Sequence, residues 1–522
     1  MVDENLYNDN INNNNGSVSN KIFIKLILIL IALNFIFAAF VIVNVNFLQL
    51  NGDGTAITKN IEAVGYSSSI FPTVGSAYNN GFAYQLFSVI ISTICGITIL
   101  DFQYLYRPFL IFIPLICSYL FFSSFFTNKK IILLSMTLLF LSPISLFILI
   151  LPSYGIMIIS FLLLLFYLLI KYFKKYNKLL LIPLLVVLIM VNSTNIFFAL
   201  FINISIFPII LLNFYRKKSD FTVFFFKSHL IIIVWIISII IMVYTYPVMF
   251  DFVNYLVKSI ISTKPSSFVS SVPSTYSYVA EAWKNPIIYW FGIVLYNITI
   301  LPLSLLLFCY MMYLLTIKKI KFKLQDLTIL STFGIIGLMV FCTILIDAAG
   351  AYGLAANFQL RATLIIIPFS ILVIGLFITT HNKNVISIFL TSKYIFVLLT
   401  IFLIGSFVYV TADPNFSNSW RFSNNYEKNS IFWLDGHIKE SVKIWQGDTF
   451  VTGSRIKDLY TLLTPITSKT KLIFTPFSND LQYYMSSSII IDHYNDLHLQ
   501  IPVNLRDNLI YSNGGAKLFA FK

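Results

Sequence analysis

Five charged residues have the types and placement that chemistry at a membrane surface would need. Asp53, Lys59 and Glu62 fall in one polar stretch, and Arg107 and Arg361 each open an apolar run. Asp53 stands between Gly52 and Gly54, just after a long apolar segment. A carboxylate there serves either as an Asx-turn side chain bonding its own backbone, or as a general base or metal-linked group. Both readings stay open. Glu62 falls in a short helix expected after Thr58, where it is either a second acid or a helix-surface charge. Arg107 and Arg361 either snorkel to the interface or hold phosphate oxygens with paired donors.

Other chemistries find no support. There is no P-loop, no G-x-G-x-x-G and no G-x-S-x-G at a strand-to-helix turn, which leaves ATP-driven and hydrolase readings without a motif. His229, His381, His437, His493 and His498 show no paired ligand spacing, so no metal ligand is assigned. Cys95, Cys117, Cys309 and Cys342 all sit in apolar segments and read as buried small hydrophobes without a disulfide framework.

The elements that must position these residues are membrane spans. The chain is 58% hydrophobic and 11% charged, with a mean hydropathy of +0.84, far outside soluble usage. Apolar runs of about twenty residues, enough to cross a bilayer core, recur from Ile22 to Ala412. From Asp413 onward there are eleven Lys and Arg against ten Asp and Glu, a net of +1 out of +14 for the whole chain. The excess positive charge therefore belongs to the membrane part. It clusters in short breaks around Lys129, Lys174, Arg216, Lys319 and Lys383, which the positive-inside rule makes cytoplasmic. Basicity here reports topology, and nucleic acid is not an expected partner.

Counting spans raises a parity problem. If Phe82 to Leu100 and Phe109 to Phe126 both crossed, every later basic cluster would lie outside. Letting Phe82 to Leu100 lie in the outer interface repairs this, and Gln85, Ser88, Ser92, Thr93 and Gly96 interrupt that stretch. The expected architecture is a mainly α polytopic membrane helical bundle of about eleven spans plus an interfacial helix, with a small C-terminal extracytoplasmic α/β domain. Its parts are a disordered cytoplasmic tail (1–20), a transmembrane domain (21–412) with an outer loop at 51–81, and an extracytoplasmic soluble domain (413–522). The protein is expected in the cell membrane, multi-pass, with its N-terminus cytoplasmic.

This arrangement resembles the GT-C superfamily of membrane glycosyltransferases, particularly its archaeal members. A long outer loop follows the first span with an aspartate near its start, Asp53. The loop closes on Y-N-N-G plus an apolar helix from Tyr78 to Ile97, with Asn79 and Asn80 where the family has prolines. Arg107 then opens the next span, and the tail carries T-F-V-T-G-S-R-I-K-D-L-Y and ends in I-Y-S-N-G-G-A-K-L-F. The resemblance implies an inverting transfer of a sugar from a polyprenyl-phosphate carrier to a glycan, protein or lipid acceptor outside the cell. It assigns Asp53, with Glu62, to catalysis, and Arg361, Arg107 and Lys59 to the carrier phosphate. It implies membrane lipid as a partner, no certain cofactor beyond the polyprenyl-phosphate sugar, and a divalent metal as an option. The competing readings are an inactive GT-C-like scaffold for surface-glycan assembly, and a lipid or glycan transporter.

Overall fold

In a computed structural model the chain is mainly helical, with one small sheet near its C-terminus. The structure describes residues 24–39 in part, 52–67, 83–140, 154–174, 177–216, 221–245, 295–320, 322–348, 352–380, 425–438, 440–445, 460–464 in part, 471–474, 481–487, 491, 508–514 and 516–520. The expected tail through Asn20, the loop from Phe250 to Asn285, the span from Tyr394 to Val410 and the boundary at 412/413 lie outside those residues. For Asp53, Arg107 and Arg361 the backbone position alone is described.

The helices form because runs of Leu, Ile and Phe in hydrocarbon must satisfy every backbone N–H and C=O within the segment. Among the described residues, two helices are long and apolar enough to cross a membrane, Gly155–Lys174 and Gln325–Cys342, or three if a bent pair counts as one. Shorter apolar helices include Phe109–Phe125, Lys178–Asn192 and Ile365–Thr380. The expected eleven spans go beyond what these residues establish. Leu179, Ile182 and Val186 are 72%, 67% and 52% exposed, an apolar stripe suited to lipid and poorly suited to water. Cys95, Cys309 and Cys342 are exposed as well, and Cys117 is buried. The expectation of four buried cysteines is corrected for three of them, which lie on outward faces of apolar helices.

Helix α1 is Gly52–Tyr66 and α2 is Ala83–Cys95. The bundle continues with α3 (Phe112–Phe125), α4 (Lys129–Phe140), α5 (Gly155–Lys174), α6 (Leu181–Asn192), α7 (Ile196–Arg216), α8 (Phe221–Thr245), α9 (Leu295–Thr316), α10 (Leu324–Ala348) and α11 (Tyr352–Thr380). Helix α3 packs on α5, and α11 on α10 and α9. Their shared core is aromatic, with Phe166 and Phe369 at 4.8 Å between ring centroids and Phe121 and Phe369 at 5.9 Å. Two expectations change here. The outer loop expected over 51–81 contains α1, which starts at Gly52 and takes in Asp53 and Gly54 as well as Glu62. Arg361, expected to open an apolar run, is the tenth residue of α11. Both stretches contain alanines and other helix-compatible residues, and an acid in a first turn suits the positive end of the helix dipole.

The bundle has two chemically distinct ends. At one, Lys174 Nζ donates to Ser124 O at 2.6 Å and Gln325 Nε2 to the same carbonyl at 3.1 Å, next to the Lys129–Lys130 and Lys318–Lys323 breaks. At the other, Asn195 Nδ2 donates to Tyr154 Oη at 2.9 Å and Ala83 N to Ser193 O at 3.2 Å. Ile57 and Ile61 of α1 pack there against Tyr84 and Met157. The basic breaks at Lys129, Lys174 and Lys318 thus gather away from α1.

The C-terminal unit comprises α12 (Asn425–His437) and strands β1 (Val442–Trp445), β2 (Leu472–Phe474), β3 (Tyr483–Ser487), β4 (Asn508–Ser512) and β5 (Ala516–Ala520). The sheet order is β2-β1-β3-β5-β4, with β1 parallel to β2 and β3 and the other pairs antiparallel. Helix α12 packs on β5. This matches the expected small α/β unit.

Helix contact in the bundle leaves little room at Gly375, where an added Cβ would stand 2.5 Å from the ring of the buried Phe126. Gly375→Ala is expected to cost about 1–3 kcal/mol through overpacking. Gly337→Ala, with nothing within 4 Å, is expected to be neutral or to stabilise by up to about 1 kcal/mol. Thermal unfolding midpoints of the detergent-solubilised protein would separate the two.

Candidate functional site

The candidate site is assembled at the end of the bundle away from the basic breaks, where α1, a bent helix pair and the C-terminal unit meet. The bend comes first. Helix α2 stops at Cys95, Gly96 adopts φ +65°, and the next limb, Ile99–Tyr106, leaves at 113° to α2. A side chain larger than glycine costs about 1–2 kcal/mol at that φ. Thr98 starts the second limb, its hydroxyl accepting from Asp101 N at 3.0 Å and donating to Asp101 Oδ2 at 2.7 Å. The limb then widens into a π-helical turn, Phe102–Tyr106, a form common at functional positions. Arg107 opens the 3₁₀ turn that follows, with Pro108 beside it.

A buried hydrogen-bond set locks the elbow. Tyr84 Oη donates to Gln103 Oε1 at 2.7 Å, Gln103 Nε2 to Ser88 Oγ at 3.2 Å, and Ser88 Oγ to Tyr84 O at 2.8 Å. Tyr84 is 1% exposed, and Gln103 and Ser88 are fully buried. Each group therefore needs its partner, since an orphaned buried polar group costs about 1–3 kcal/mol. Of the residues that interrupt the expected interfacial stretch, Ser88 belongs to this set and Gly96 supplies the backbone angle.

The second limb carries the C-terminal unit. Tyr104 is buried in one apolar cluster with Ile431, Leu434, Val442, Ile444 and Leu472, and Leu100 packs beside it. The sheet's own core is completed by a side chain from the membrane bundle.

Helix α1 is held between bundle and sheet. Ile57 and Ile61 face Tyr84 and Met157. Lys59 lies about 200° around the helix from Ile57, at roughly 100° per residue, and reaches the other way. Its Nζ donates to Thr464 O at 2.8 Å and to Glu62 Oε2 at 2.7 Å. The two side chains are 15% and 16% exposed. A charge-assisted bond in such shelter contributes about 1–3 kcal/mol, more than an exposed pair would.

Thr464 is itself anchored. Its N–H and hydroxyl both donate to Tyr460 O, at 2.9 and 2.7 Å. Tyr460 Oη donates to Asp435 Oδ1 at 2.8 Å and accepts from Lys471 N at 3.2 Å. Burial, followed by the bond to Asp435, pushes the Tyr460 phenol above its usual range. Its neutral form is the one the fold favours, so this contribution is complete below the ordinary phenol range. It is lost as pH rises through the raised value. Lys471 Nζ closes the C-terminus of α12 by donating to Asp435 O and Ile438 O, each at 3.2 Å.

Of the five sequence-derived site residues, the structure brings Lys59 and Glu62 into contact. Asp53 is the second residue of α1, nine positions before Glu62, about 13.5 Å along a helix axis at 1.5 Å per residue. Tyr84, Gln103, Tyr104 and Thr464 escaped the sequence reading as site-building residues. Thr55 Oγ1 in α1 and Gln85 Oε1 in α2 are buried and have no hydrogen-bond partner. Among the described residues no group of three or more His, Cys, Asp or Glu could hold a metal ion, so the optional divalent metal has no fitting donor set there.

No family model matches the chain, and no curated protein does. Among solved structures, the chain is similar to the archaeal oligosaccharyltransferase AglB from Archaeoglobus fulgidus, in complex with an inhibitory peptide and a dolichol-phosphate. The two share 11% identity at a TM-score of 0.47, over 89% of this chain and 69% of that one.

The elbow yields a direct test. Gln103→Leu strips Tyr84 of its acceptor and Ser88 of a donor in a sealed site. It is expected to lower stability by about 1–3 kcal/mol, whereas Thr93→Ala, which removes an exposed bond, is expected to change it by under about 0.5 kcal/mol. Thermal unfolding of both variants in the same detergent checks the contrast.

Proposed function

We propose that this protein is a membrane glycosyltransferase that moves a sugar from a polyprenyl-phosphate carrier to an acceptor on the extracytoplasmic side. The observation that carries this reading is the seating of α1. A helix with an aspartate in its first turn is held between the bundle end and a soluble-type α/β unit, opposite the basic breaks. Such a place gives a membrane-borne donor and a water-borne acceptor a common boundary.

In this reading Asp53 takes a proton from the acceptor as its oxygen or nitrogen bonds to the anomeric carbon. The bond from that carbon to the carrier phosphate breaks, and the phosphate leaves with its electron pair. Arg361 and Arg107 stabilise the departing charge with paired donors. The unpartnered, buried Thr55 Oγ1 and Gln85 Oε1 offer hydrogen-bonding capacity of the kind sugar hydroxyls would use. The carrier brings the activated sugar, so a nucleotide is not needed at the site.

Asp53→Asn is expected to abolish transfer from a radiolabelled polyprenyl-phosphate sugar in membranes, with expression and membrane insertion unchanged. Persisting transfer would place the base elsewhere. Sidedness has its own check. In a chain with the four native cysteines replaced, Asn128→Cys is expected to react with an impermeant maleimide only when the cytoplasmic face is opened, and labelling in intact cells would invert the topology.

A further inference from the structure

Lys59 and Thr464 are 405 positions apart, yet the Lys59 ammonium joins α1 to the C-terminal unit, its Nζ donating to Thr464 O. Among the described residues two contacts seat the sheet. One is apolar, the insertion of Tyr104 and Leu100 into its core. The other is polar and local, and its geometry is that of a fastening. Glu62, one turn along α1, takes one of the three ammonium protons and aims the group. Thr464 O takes another. Behind Thr464, the bonds through Tyr460, Asp435 and Lys471 run into the C-terminus of α12 and the start of β2.

The acceptor at this contact is a main-chain carbonyl, so it carries no charge of its own, and among the described residues no ion pair crosses the junction. The negative partner belongs to α1. Lys59 and Glu62 can therefore remain paired with this contact open, and opening it breaks one hydrogen bond of Lys59 without stranding a charge. A lysine paired with an acid of the sheet would have resisted release far more strongly. We infer that Lys59 is a releasable latch, with Glu62 as its positioning residue, that holds the C-terminal unit down over α1 while the Tyr104 contact acts as the pivot. The latch concerns how the C-terminal unit is fastened to α1, and it stands apart from which reaction is run there.

Hydrogen–deuterium exchange on the full chain in lipid nanodiscs tests this without donor or acceptor, so its outcome is independent of the transferase reading. Lys59→Met is expected to speed exchange of the Thr464 amide by about tenfold or more, the loss of one charge-assisted bond. The amides of β1, β3 and β5 are expected to keep their protection. Lys59→Arg, which keeps charge and donors, is expected to restore wild-type exchange at Thr464. Unchanged exchange in Lys59→Met would overturn the latch, and so would an arginine variant that behaves like the methionine one. If Lys59→Met also strips protection from the strands, Glu62→Gln decides. Faster exchange at Thr464 with the sheet still protected supports the latch, and wild-type exchange there refutes it.

Discussion

The hydrogen bond from Tyr84 to Gln103 spans the elbow between α2 and the Ile99–Tyr106 limb, at 2.7 Å and sealed from solvent. Everything at this end of the molecule depends on that bend. Straightened, the same residues would form one apolar helix. Bent by 113° at Gly96, the chain sends Tyr84 under α1 and Tyr104 into the sheet core. One elbow thus seats both partners of the candidate site, with Gly96 supplying the backbone angle and Gln103 the closure.

The rest of the bundle gives the elbow a rigid base. Asn203 Nδ2 donates to Asn192 Oδ1 at 2.7 Å, Trp235 Nε1 to Asn203 Oδ1 at 2.7 Å, and Asn192 Nδ2 to Ser238 Oγ at 3.0 Å. These bonds tie α6, α7 and α8 together just below the turn whose Ser193 carbonyl receives the Ala83 amide. Packing between apolar helices in lipid is not driven by exclusion of water, so interhelical hydrogen bonds and close aromatic contact take over the work of specifying position. Each of these amides has a partner, which marks the set as scaffold.

Local chemistry was legible in the sequence wherever local physics decides. The apolar periodicity, the basic breaks and the neutral tail pointed to a helical bundle with a small α/β unit, and the observed helices and five-stranded sheet follow that outline. Gln85, Ser88, Ser92 and Gly96 marked an irregular stretch, and the elbow lies there. Two elements were misjudged because turn residues weighed more than they should. Gly52 and Gly54 suggested a turn around Asp53, but the residues from Thr55 to Tyr66 continue a helix, and tertiary packing of Ile57 and Ile61 overrides the glycine penalty. Likewise Gly353 stands beside Tyr352, yet α11 begins there, nine residues before the Arg361 expected to open an apolar run. The partner of Lys59 could not be read at all, because a backbone carbonyl has no sequence identity.

The two cation types proposed for the site answer to different constraints. Arg107 and Arg361 occur where apolar segments resume, so hydropathy alone draws attention to them. Lys59 looked like one more outer cation, and its position on α1 shows why it differs. It is on the face turned away from Ile57 and Ile61, it is largely sheltered, and two of its three donors are spent on Glu62 and Thr464. An ammonium so engaged serves the contact between α1 and the sheet, and a point charge on a flexible stem suits the inferred latch. On the proposed reading the grip on phosphate falls to the planar guanidinium groups, while the bonds of Lys59 run to the junction between α1 and the sheet.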